Sequence, residues 1–291
     1  MIYEEHLQGQ ITDNRVGDSL SGKIQRTVVS TLVFVIAFLL SNLLLQGTTA
    51  LVGKALSFTV AFKYGHVTIG PFIQRYWSFN RVLALYLLPP LLCLAISGYL
   101  LFLQTIILRS VNMLRFCAFW FMVCLVNMVL AHLVFAPVGV ATMRGSDFFQ
   151  SFAVVGSWLN LNAAALCFPA VAALALSVLT GIKLRNMVLK YSFSARLIKT
   201  EIGKRSVILQ VYLLPVIIGS LPLLLLCRNS GFGPTLVTLV NFIIICSGMF
   251  IRNEGGRSKV NVDQRDILNH PPFTEAIVCA LLWGSIYWFL T

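Results

Sequence analysis

The pattern of this chain is that of an all-α membrane protein, a bundle of six or seven transmembrane helices with one short β-hairpin at the membrane surface. Three observations carry that reading. Seven apolar runs, at 28–46, 82–108, 116–138, 152–180, 207–227, 235–251 and 276–290, are separated by short polar stretches. About 20 apolar helical residues cross a bilayer core. Hydrophobic residues make up 58% of the 291 positions and charged residues 11%, under half of the roughly 25% usual in soluble domains. The cations also alternate. Sixteen of the 22 Lys and Arg residues lie in the N-terminal tail, 109–115, 183–205 and 252–265, and six lie in the intervening connections. Loops rich in Lys and Arg stay inside, so the expected topology has the N-terminus in the cytoplasm and the chain in a cytoplasmic (inner) membrane. That topology accounts for the formal charge of +12 without nucleic-acid binding.

Residues 1–27 read as a polar cytoplasmic tail and 28–291 as a single multi-pass membrane domain, because no linker divides it. The first span is too long for a cleaved signal and has no small-residue cleavage site after it, so it serves as an uncleaved insertion signal. Its apolar character continues weakly from Gln46 to Phe62, interrupted by Gly47, Thr48, Thr49, Gly53 and Lys54. This predicts a span followed by a second short helix. The stretch 56–73 alternates in part and holds Tyr64-Gly65-His66 and Gly70-Pro71, which predicts the hairpin.

The second span carries Pro89-Pro90, where a kink or break is expected because proline removes a backbone donor. The third holds Asn127 and His132. The fourth run contains Asn160, Asn162 and Pro169 and is long enough for one tilted helix or two pieces broken near Pro169. The fifth has Pro215 and Pro222, and the last run has only 15 residues, so it is tilted, interfacial or incompletely spanning.

Between the fourth and fifth spans, the segment 182–206 is patterned as a basic amphipathic helix. Leu184, Met187, Val188, Tyr191, Ala195, Ile198 and Ile202 recur at spacings of three and four, which places them on one helical face. Lys183, Arg185, Lys190, Arg196, Lys199, Lys204 and Arg205 lie mostly elsewhere. Such a helix suits the lipid bilayer surface and its anionic headgroups. A helix that merely covers the bundle, or one that docks a membrane or cytoplasmic protein partner, fits the same pattern.

His132 is the one ionisable residue inside the seven runs. Charges at membrane depth are costly and usually functional, so their scarcity argues against a proton pump or a carboxylate-coupled transporter. The candidate polar site consists of Gln46, Thr49, His132, Asp147, Asn160 and Asn162. Asn42, Gln46, Gln104, Asn127 and Asn241 also suit hydrogen bonds between helices. The seven cysteines lie in or beside apolar runs without a C-x-x-C pair, which fits packing rather than zinc or redox chemistry. No metalloprotease, hydrolase or nucleotide-binding motif is intact, so neither a catalytic residue nor a metal or other cofactor is expected.

The segment Gln46-Gly47-Thr48-Thr49-Ala50-Leu51 through Phe58 resembles the zinc-binding helix of the site-2-protease-like membrane metalloproteases, as a degenerate copy. In that family H-E-x-x-H-A-L closes an early span and a membrane-associated hairpin follows. On that frame Leu45 takes the first histidine position, Gln46 the glutamate and Thr49 the second histidine. The stretch 59–72 resembles the hairpin, and Asp147 is the candidate for the family's later acidic ligand. The resemblance implies a proteolytically inactive copy, because without imidazoles there is no zinc and no activated water. The expected function is a non-catalytic membrane scaffold or accessory subunit. The alternative is a transporter or permease for an uncharged or weakly polar solute, with the proline-broken helices and asparagines forming its cavity. A membrane enzyme acting on lipid through His132 or Asp147 is the third.

Overall fold

The computed structural model describes residues 20–63, 66–70, 78–106, 113–142, 152–191, 200–226 and 232–251. Those residues build helix α1 (Leu20–Ala55), a hairpin of β1 (Thr59–Lys63) and β2 (His66–Gly70), then α2 (Phe79–Ile106) and α3 (Met113–Val134). Two short helices, α4 (Ala136–Thr142) and α5 (Phe152–Trp158), precede α6 (Ala163–Lys190). Helix α7 (Glu201–Ile208), a π-helical turn (Leu209–Leu213) and α8 (Leu214–Leu226) run on as one rod, and α9 (Phe232–Phe250) follows.

Five of these helical segments are long and apolar enough to cross a membrane: 23–55, 79–104, 113–134, 163–190 and 201–225, with 235–250 a shorter apolar helix. The helical membrane class therefore stands, with five such helices and a sixth shorter one among the described residues in place of the expected six or seven. The run at 276–290 lies outside the described residues.

Helix α1 does not break where a second short helix was expected. Thr48 and Thr49 are helical because their hydroxyls donate back to the Leu44 and Leu45 carbonyls, at 2.8 Å each. The helix ends instead at Ser57, whose φ of 65° is the left-handed step of a Schellman cap. Ser57 N–H donates to the Lys54 carbonyl at 2.9 Å and Phe58 N–H to that of Gly53 at 3.0 Å. The hairpin then folds back with Thr59 opposite Gly70 and Lys63 opposite His66. It packs on α1 so closely that a Cβ at Gly53 would meet Val60 Cγ2 at 2.9 Å.

Proline has consequences other than simple breaks. Helix α2 runs through Pro89 and Pro90, and α6 through Pro169. The fourth run is neither one helix nor broken near Pro169; it divides earlier, between α5 and α6. Pro215 marks the π-helical turn. It has no N–H for the Val211 carbonyl four residues back, nor for Gln210 five back. The Val211 carbonyl is taken by α1, and the Gln210 carbonyl lies at the edge of reach of Thr27, whose hydroxyl also donates to the Lys23 carbonyl at 3.1 Å. Ser30 Oγ donates to Val211 O at 2.7 Å, and Thr27 Oγ1 lies 3.5 Å from Gln210 O. Trp120 Nε1 in turn donates to Ser30 Oγ at 3.2 Å, tying α1, α3 and the π-helical turn together.

The centre of the bundle is aromatic. Phe34 meets Trp120 at 5.1 Å and Phe242 edge-on at 5.3 Å, and Trp120 stacks on Tyr212 at 5.2 Å. These side chains are completely buried. Beside them, Asn127 Nδ2 donates to the Thr238 carbonyl at 2.8 Å and Asn241 Nδ2 to Asn127 Oδ1 at 3.0 Å. Ser177 Oγ completes the chain to Asn241 Oδ1 at 3.2 Å, so α3, α6 and α9 share one saturated network. Below it α6 and α9 cross in backbone contact. A Cβ on Gly181 would collide with the Ile245 carbonyl, and one on Gly248 with that of Val178. Leucines that point outward, such as Leu91, Leu92, Leu221 and Leu225, are exposed, as a lipid-facing surface requires.

Candidate functional site

Besides the asparagine network, two places among the described residues bring polar side chains together, one at each end of the bundle. The first is a cavity of about 30 Å³ beside the hairpin. Three helices line it, each with a pair of residues one turn apart: Asn42 and Gln46 on α1, Met128 and His132 on α3, Thr235 and Thr238 on α9. Side chains three or four apart share a helical face, so each pair reaches the cavity together. Phe38 and Leu45 supply further apolar wall. Gln46 is held by the hairpin, whose Val67 N–H donates to Gln46 Oε1 at 3.3 Å.

The structure thus joins Gln46 and His132 of the six expected polar-site residues. It gives three others separate duties or leaves them aside. Thr49 bonds to its own helix. Asn160 has a φ of 54° and forms the left-handed step that closes α5, with its N–H donating to the Ser157 carbonyl at 3.1 Å and Leu161 N–H to that of Gly156 at 2.9 Å. Asn162 caps α6, its Oδ1 accepting from Ala165 N–H at 2.8 Å. The two asparagines are the stop and start signals of consecutive helices. Asp147 lies outside the described residues. Asn42, Met128, Thr235 and Thr238 were not singled out as site residues from sequence. Their signal is the helical-turn spacing within each pair, which says which face they share but not that the three faces converge.

The second place is the opposite, basic end. Glu201 is the one acidic residue among those described. It takes Arg185 Nη2 at 2.9 Å and Lys204 Nζ at 2.6 Å. The second guanidinium nitrogen, Arg185 Nη1, donates to the Ile251 carbonyl at the end of α9 at 2.7 Å. The basic amphipathic helix expected over 182–206 is therefore divided. Its first part is the last two turns of α6, its final part opens α7, and 192–199 lies outside the described residues. The apolar stripe exists, but Leu184, Val188 and Tyr191 are buried in the bundle rather than laid on a surface. Tyr191 packs against Phe116 at 4.9 Å, and its hydroxyl donates to the Arg115 carbonyl at 3.2 Å. Burial pushes this phenol's pKa above its ordinary value, so it remains a donor. Among the cations expected to meet lipid, Arg185 is buried and ion-paired and Lys204 is half-buried. Lys183, Lys190 and Arg205 are exposed, and Arg196 and Lys199 lie outside the described residues.

Among the described residues no three His, Cys, Asp or Glu side chains gather as metal ligands. Comparison with known proteins finds no matching family model, no similar curated protein and no similar solved structure.

Proposed function

We propose that this is a non-catalytic integral membrane protein, a scaffold or accessory subunit built on a frame like that of the site-2-protease-like metalloproteases, with the zinc chemistry lost. One observation carries the reading. The positions that would bear two imidazoles and a carboxylate hold Leu45, Gln46 and Thr49, and their side chains serve the architecture. Gln46 accepts from the hairpin, Thr49 bonds its own helix and Leu45 is buried. The helix-then-hairpin order supports the shared frame. The aromatic centre supports a scaffold over a solute conduit, because the polar cavity beside it has room for only a few atoms. The Lys and Arg division supports a cytoplasmic face of an inner membrane for the basic end, with Lys183, Lys190 and Arg205 toward anionic headgroups.

Metal analysis of two proteins tests this. The wild-type chain is expected to hold no stoichiometric zinc. A variant carrying Leu45→His and Thr49→His restores two imidazoles one helical turn apart and is expected to hold about one zinc per chain. Tight zinc in the wild type would overturn the non-catalytic reading. A folded double variant without zinc would remove the shared frame.

A further inference from the structure

We propose that the cavity at the hairpin end is a binding site for a neutral carboxyl group, taking the head of a small organic acid or of a fatty acid. The proposal goes beyond the scaffold reading and does not depend on the metalloprotease frame. Its starting point is the orientation of Gln46. Val67 N–H can only donate, so the Gln46 atom facing it at 3.3 Å is the amide oxygen. What Gln46 has left for the cavity it lines is the Nε2 amide, a donor. Asn42, one turn earlier on the same helix, adds a second amide, and Thr235 on α9 adds a hydroxyl. The pocket thus holds one donor fixed by its hydrogen bond, with an amide and a hydroxyl able to donate beside it, from two helices.

Size and charge narrow the occupant. A water needs about 10–15 Å³ of such space, so a cavity of about 30 Å³ suits two adjacent oxygen-sized atoms. A carboxyl group has that shape, with a carbonyl oxygen to accept from the donors and one O–H to give. Among the described residues no acidic side chain lines the cavity to repel it, and Glu201, the acid among them, is committed to Arg185 and Lys204 at the other end. No Lys or Arg among the described residues lines it either, so a bare anion would enter at high cost. The acid therefore enters in its neutral form and keeps its proton, its O–H directed toward the imidazole of His132. Phe38, Leu45 and Met128 supply apolar walls for the carbon attached to the head.

The test is titration of carboxyl-¹³C laurate and carboxyl-¹³C acetate into the full chain in phosphatidylcholine nanodiscs, read by the labelled carbon's resonance. Gln46→Glu is the decisive variant. It keeps an oxygen for Val67 N–H but replaces the donor facing the cavity with a second, anionic oxygen. The wild type is expected to take up one laurate per chain saturably. Gln46→Glu should bind at least about tenfold more weakly, and Thr235→Val and His132→Gln should each weaken binding severalfold. Saturable acetate would identify small acids as sufficient, whereas laurate alone would point to the membrane as the source, and either supports the site. The proposal is overturned if neither acid saturates, or if Gln46→Glu binds laurate as tightly as the wild type. Should Gln46→Glu not fold, unchanged affinity in both Thr235→Val and His132→Gln would overturn it equally.

Discussion

The two ends of this bundle handle polarity in opposite ways. At the basic end, the groups around Glu201 are charged, mutually satisfied and pressed against backbone. Glu201 neutralises Arg185 and Lys204, Arg185 closes the α9 terminus, and Gly181 and Gly248 let α6 and α9 touch. At the hairpin end they are neutral and face an opening. A saturated network resists change because removing one member strands another in a dry interior. Groups that face an opening contribute little to folding and are available to a ligand. The difference separates the part of the molecule that holds it together from the part that is free to act.

That contrast predicts a gradient of mutational cost, largest at the basic end. Gly248→Leu should be the most damaging, because its side chain would occupy the space of the Val178 carbonyl. Overpacking against backbone has no rotamer escape, and a loss of more than about 3 kcal/mol is expected. Size-exclusion profiles in detergent should show aggregate in place of the folded peak. Glu201→Gln comes next. It strips the countercharge from Arg185, whose side chain is 9% exposed. Because Glu201 itself is 43% exposed, the cost should be about 2 kcal/mol rather than the larger value of a fully buried pair. A thermal melt compared with Lys204→Gln, which leaves the Arg185 bond intact, isolates the buried half of the interaction. A melt for Glu201→Gln no lower than that of Lys204→Gln would break the contrast at this end.

Between the ends lies the asparagine network. Asn241→Leu leaves Asn127 Oδ1 and Ser177 Oγ without their shared partner. Interhelical hydrogen bonds of this kind average about 0.6 kcal/mol in membranes, and two are lost, so about 1 kcal/mol is expected in denaturant titration. An effect equal to that of Glu201→Gln would show that charge is not what distinguishes the basic end.

Much of this architecture is written locally. Apolar runs of span length announce the helices, and the alternation with Tyr64-Gly65 announces the hairpin. Asn127 and Asn241 are legible as interhelical bonds because an unpaired amide in a span is costly, whereas Gln104, expected to bond in the same way, is buried with neither amide atom hydrogen-bonded among the described residues. Other features depend on what stands opposite. The run from Val28 reads as interrupted at Gly47-Thr48-Thr49, yet threonine hydroxyls satisfied by the preceding turn keep α1 intact to Ala55. Asn160 and Asn162 look like site residues because both are polar within an apolar run, and their work as caps depends on a backbone reversal that composition does not encode. The stripe Leu184, Val188, Tyr191 is visible, but a helical face that meets lipid and one that meets Phe116 have the same period. The cavity was hidden for the same reason, since three residue pairs on three helices converge only after the helices pack.

The smallest effect is expected at the hairpin end, at Asn42. Asparagine is a poor helix former and lies in the middle of a long apolar helix, so a purely structural amide there should be costly to remove. If Asn42 instead faces an opening, Asn42→Leu deletes a group with little to lose, improves local helix propensity and fills part of about 30 Å³ of space. Those terms oppose the lost polar contacts, and the net change should stay within about 0.5 kcal/mol of zero. Gln46→Leu is the internal control, because it also removes the bond to Val67 N–H and should cost about 1 kcal/mol more. Melting curves of the two variants in the same lipid nanodiscs give the comparison directly. A loss at Asn42 as large as that at Glu201 would mean that the hairpin end is as tightly knit as the basic one, and that the cavity belongs to the scaffold rather than to a ligand.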